Sequence, residues 1–102
     1  MVHVLALIVA KPGQRAALLA AFNANVAAVR NEAGCIEYGA AVDADGAGGV
    51  QTPLGPDTFV VIEKWASLDA LRAHAKAPHM AEYAGRTKEL VASRTIHVLS
   101  PA

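Results

Sequence analysis

Apolar positions along the chain follow two rhythms, one of about two residues and one of three to four. Val2 to Ala10 is an apolar run rich in Val, Leu and Ile, stopped by Lys11-Pro12-Gly13. It predicts a strand buried on both faces. From Gln14 to Glu32 the rhythm lengthens. Leu19, Phe22, Val26 and Val29 make one stripe of a helix, with Asn23, Asn25 and Arg30 largely outside it. Gly34 suits the left-handed position that ends such a helix. Cys35 to Asp43 returns to alternation, with Ile36, Tyr38, Ala40 and Val42 on one face. Asp43 to Asp57 holds four Gly and two Pro without periodicity, which predicts a loop longer than a hairpin needs.

Thr58 to Ala66 is the next strand, with Phe59, Val61, Glu63 and Trp65 sharing a face. Ser67 is placed to cap a helix, and Asp69 suits the positive end of the helix dipole. Ala70, Leu71 and His74 then point back to the sheet. The helix breaks near Lys76-Ala77-Pro78, and Pro78 is pre-set to open another, running to Val91. In it Met80, Tyr83, Thr87 and Leu90 share a side, and His79, Tyr83 and Arg86 line up at steps of four and three. Arg94 to Leu99 makes the last strand. The order βαββαβ, with its second helix split, predicts an α+β, ferredoxin-like split βαβ sandwich of one domain over residues 1–102. Its helices would cover one sheet face. A homodimer pairing the bare faces, a dimeric α+β barrel, would bury the other.

Composition sharpens this picture in a few places. Apolar residues make up 54% of the 102 positions, many of them Ala, which suits a small-residue core and a face covered by a second subunit. Net charge is zero, so the basic stripe that nucleic acid demands is missing. No run approaches the ~18 apolar residues of a membrane helix. The N-terminal run lacks the basic flank and cleavage site of a signal peptide, and Cys35 has no partner, so a cytoplasmic location is expected.

Chemistry concentrates where the third strand meets the split helix. Trp65 either stacks on or donates to an aromatic ligand, or anchors the core at a strand end. His74 is either a general base near working pH or a structural imidazole bonded to a carbonyl. Glu63 on a covered face needs a partner, for which His74, Arg86 or a basic group of a second subunit are candidates. His79, Tyr83 and Arg86 either line a pocket mouth or form a solvated helix face, and Tyr38 either packs the sheet or hydrogen-bonds in the pocket. The five-residue step from His74 to His79 across Pro78 does not match paired metal ligands on one helix, so no metal is expected. The Gly-rich loop lacks the Gly-Lys-Ser/Thr of a phosphate site, and Cys35 reads as a small hydrophobe.

Four stretches resemble the antibiotic biosynthesis monooxygenase (ABM) family. They are Glu32-Ala33-Gly34-Cys35-Ile36-Glu37-Tyr38, Phe59 to Trp65, Ala70-Leu71-Arg72-Ala73-His74 and Ala77-Pro78-His79-Met80. The Glu-x-Trp followed by Ala-Leu-x-x-His is the most specific part. The resemblance implies a homodimeric ferredoxin-like barrel that oxidises a phenol, quinol or polyketide-like aromatic with O₂ and without cofactor. It also implies a pocket containing the Trp65 and His74 positions. On that reading His74 is base or proton relay, Trp65 is donor and wall, and Glu63, His79, Tyr83, Arg86 and Tyr38 bind substrate. Two other readings stand beside it: a non-catalytic binding module for an aromatic metabolite, and a haem-degrading enzyme. The haem-degrading branch uses an Asn on the first strand and a His in the last helix. The matching positions here are Ala6 and Ala84, which can do neither job.

Overall fold

The computed structural model describes all 102 residues. Strand β1 (Val2–Ala10) leads into helix α1 (Arg15–Arg30) and strand β2 (Cys35–Ala41), and a long loop with one short 3₁₀ turn (Gly48–Val50) follows. Strand β3 (Thr58–Trp65), helices α2 (Leu68–Ala75) and α3 (Pro78–Thr87) and strand β4 (Val91–Leu99) complete the chain. The sheet order is β2-β3-β1-β4 with every neighbour antiparallel, which is the ferredoxin-like arrangement.

Register decides what meets under the helices. Tyr38, Glu63, Val4 and Val98 form one row across the sheet, and Ala40, Val61, Ala6 and Ile96 form the next. Phe59, Ile8 and Arg94 form a third. From α1, Leu18, Phe22 and Val29 pack onto this face, and Trp65 and Phe59 are fully buried beneath. Each such large apolar side chain contributes about 1.5–3 kcal/mol of burial.

Several boundaries and faces differ from the sequence expectation. The buried stripe of α1 is Leu18, Phe22, Asn25 and Val29, with Leu19 and Val26 on its flank. Asn25 lies inside it because α1 also packs on α3, where its amide donates to the Met80 sulfur at 3.4 Å. The helix stops at Arg30, and Gly34 comes later, at φ +83 in the turn beyond it. In β2 a bulge between Cys35 and Glu37 turns Ile36 outward, so it does not share the face of Tyr38, and the strand ends before Val42. Helix α3 ends at Thr87, whose hydroxyl donates back to the Tyr83 carbonyl at 2.8 Å. A turn bond from Leu90 N–H to Thr87 O then lets Lys11 N–H reach Leu90 O, and β4 starts at Val91 opposite Ala10.

One sheet face is bare, as expected. Leu5, Ile62 and Leu99 on it are 37%, 37% and 43% exposed, so β1 is buried on one face only. The long loop is tied down by Asp43, whose carboxylate accepts from the N–H groups of Leu54 and Gly55 and from the Gln51 amide. These bonds hold the Asp43 carboxyl below its usual range. No helix is long and apolar enough to cross a membrane.

Candidate functional site

Helices α2 and α3 do not reach across β4, so the covered sheet face ends in an open cleft of about 770 Å³. Val4, Ala6, Val61 and Glu63 form its floor, and Leu71, His74, Met80 and Tyr83 its roof. The open side is β4, where Ile96 and Val98 are 56% and 49% exposed. The lining is mostly apolar, which is the kind of site that takes an apolar ring and orients it with few polar groups.

The polar groups gather at the α2 end. Ser67 caps α2 by accepting from Ala70 N–H at 3.1 Å. The helix then carries His74, 6% exposed, onto Trp65, with ring centroids 4.7 Å apart, and onto the edge of Tyr38 at 5.6 Å. The third side is closed by the turn after α1. Gly34 carries no side chain where a Cβ would stand 2.6 Å from that of Ala70, so this turn lies directly on α2. The contact brings Glu32 to His74, with 2.8 Å between Oε2 and Nδ1. Nδ1–H donating to the carboxylate leaves Nε2 of a neutral ring as the acceptor. Nε2 makes no hydrogen bond within the chain, and His74 is among the residues that line the cleft.

His79 lies 3.2 Å from the same Glu32 oxygen, but out of line for a hydrogen bond. Both its ring nitrogens are buried without a partner. Two imidazoles thus converge on one carboxylate oxygen, yet no three His, Cys, Asp or Glu side chains are disposed to hold a metal ion.

Glu63 accepts from the Trp65 indole N–H at 2.9 Å, in place of the His74 or Arg86 partner expected. Burial pushes its carboxyl above the usual range, while the Trp65 bond and nearby His74 pull the other way. Trp65 itself is fully buried and lies behind the cleft lining, with its N–H committed to Glu63. It is therefore not placed to wall the cleft or donate to a ligand. It positions Glu63 and stacks on His74. Tyr38 and Tyr83 both line the cleft, with Phe22 stacked on Tyr38 at 5.2 Å and edge-on to Tyr83 at 6.3 Å. Burial raises both phenols, strongly for Tyr38, so they remain protonated donors. Arg86 is exposed and outside the lining, and the guanidinium that does line the cleft is Arg94. Ala6 and Ala84 also line it and offer no side-chain ligand.

Glu32 and Arg94 are the residues that sequence reasoning left without a role. Glu32 stood in the Glu-Ala-Gly-Cys stretch, which was a signal. Arg94 follows only from the early start of β4.

The sequence profile of the family described as "Antibiotic biosynthesis monooxygenase" matches residues 1–86. The chain belongs to the antibiotic biosynthesis monooxygenase family. That places it among the oxidoreductases of the monooxygenase class. It is 38% identical over 103 aligned positions to the Escherichia coli K12 protein named "Probable quinol monooxygenase YgiN", covering 99% of this chain and 98% of that relative. The structure of Rv0793 from Mycobacterium tuberculosis is similar at TM-score 0.80 and 30% identity, over 99% of this chain and 94% of that one. PA3566 from Pseudomonas aeruginosa matches at TM-score 0.80 and 28% identity, over 99% and 93%.

Proposed function

We propose that this ABM protein is a cofactor-independent monooxygenase of a quinol or related phenolic aromatic, working as a homodimer. The observation that carries the reading is His74, held through Nδ1 by Glu32 with Nε2 free on an apolar cleft. The name of the E. coli relative supports the choice of a quinol. Nε2 takes the phenolic proton, and the Glu32 carboxylate stabilises the imidazolium that forms. The electron-rich anion passes an electron to O₂, and the two radicals combine at carbon. Loss of water then leaves a hydroxyquinone. The balance is quinol plus O₂ to hydroxyquinone plus water, and the quinol supplies every electron. Apolar walls flank the radical pair on the covered sides of the cleft, while Glu63 and the Tyr38 and Tyr83 phenols orient the oxygens.

Oxygen uptake across a panel of quinols and polyphenols tests this. His74→Ala is expected to lower turnover of the best substrate by roughly 10²–10⁴-fold, the usual scale of general-base catalysis. Near-wild-type turnover by a folded variant would place the base elsewhere. Saturable binding with no oxygen consumed would favour a binding module.

A further inference from the structure

At its far end the cleft changes character. A second hollow of about 320 Å³ adjoins it and shares Ile8, Tyr83, Ala84 and Arg94 as its wall. Lys88 closes its other side. Every acid that pairs in this chain is engaged elsewhere. Glu89 holds Lys11, Glu37 holds Lys64, Asp69 holds Arg72, and Glu32 serves the two His. Arg94 and Lys88, both exposed, form no ion pair and donate no side-chain hydrogen bond, unlike Arg15 and Arg30, which each bind a backbone carbonyl. Lys76, at the His74 end of the cleft, is likewise unpaired but stands alone there. No carboxylate lines the smaller hollow. An apolar trough that ends in two cations without a counter-ion is complementary to an amphipathic anion.

We propose that this end is an anion subsite, and that the ligand of the cleft is an aromatic carrying a carboxylate or comparable anionic group. This rests on the reading of the cleft as a substrate site. The register sets the length of the ligand. Val98 stands in the row of Glu63, and Arg94 is four residues away along β4. That is about 13 Å of strand, shortened by the reach of the Arg side chain. The ring lies under His74, and the anionic arm points along β4 to a guanidinium that can take it bidentately, with Lys88 as a second charge.

The test is equilibrium binding by calorimetry, which needs no turnover. The probes are a naphthalene-based carboxylate with a short alkyl arm and the alcohol of the same shape. The wild-type protein is expected to bind the carboxylate at least tenfold more tightly, with a preference that shrinks as salt is raised. Arg94→Gln is expected to erase the preference, and Arg94→Lys to restore part of it. Circular dichroism confirms that each variant is folded. Equal affinity for the two probes overturns the subsite, as does a preference that survives Arg94→Gln, and so does binding of neither. Oxygen uptake by quinols is read separately. An active enzyme without the preference loses only the subsite, and a preference without oxygen uptake loses only the oxygenase.

Discussion

Glu32 shows how a residue's role depends on what the fold brings to it. In the sequence it is a carboxylate at the end of a helix, 42 positions from His74, and although it stands in the Glu-Ala-Gly-Cys stretch, that stretch does not name its partner. Glu63 was the opposite case. Its place on a covered face was legible from strand alternation, but the partner was not, because the Trp65 indole two residues on folds back to it. Burial holds the Glu63 carboxyl above its usual range. The folded state therefore binds more protons than the unfolded chain at pH just above that range. Stability is fully present below the unfolded value and falls as pH rises through the folded one. Glu63→Gln removes this loss, while Asp43, whose carboxyl is held low, acts with the opposite sign in both proteins. The melting temperature of Glu63→Gln minus that of wild type is expected to grow from acid to neutral pH. A flat difference would mean that Glu63 is charged in the fold without cost.

Elements were legible where their period was long and unbroken, and illegible where one residue changed the phase. The middle two strands follow from alternation, the first from its apolar run, and the split between α2 and α3 from Ser67 and Pro78. The bulge at Ile36, the rotation of the α1 stripe and the early end of α3 depend on neighbours far away in sequence. The turn between α1 and β2 is the element that builds the site, through Gly34. Its φ of +83 and its 2.6 Å approach to Ala70 both exclude a side chain. Gly34→Ala is expected to cost about 1–3 kcal/mol by thermal or urea unfolding. Its turnover at a temperature where it stays folded should fall further, because Glu32 is pushed off His74. Adding Ala70→Gly removes the clash and not the backbone strain, so turnover should recover more than stability. Equal recovery of both would separate the turn from the chemistry.

The whole molecule presents one covered sheet face and one bare one. The apolar excess in composition already pointed to this. Pairing the bare faces of two copies around Leu5, Ile62 and Leu99 is expected to bury more than ~1,200 Å² in total. Light scattering should give about twice the 10.5 kDa chain mass. Ile62→Glu should shift it toward the single-chain mass, and a wild-type monomer at micromolar concentration would rule the pairing out. The long loop between β2 and β3 lies at the opposite end of β3 from Trp65. Eight residues of strand, on the order of 25 Å, separate the two ends. Its tip carries Val50, 92% exposed, on a base anchored by Asp43. The native thiol, Cys35, is half-buried and pushed up by burial and nearby carboxylates, so it is a sluggish nucleophile at neutral pH. A cysteine introduced at Val50 would thus be the reactive handle of the molecule. A dye or surface tether fixed there would stand away from the His74 end of the cleft, at the end of the sheet where Arg94 lies.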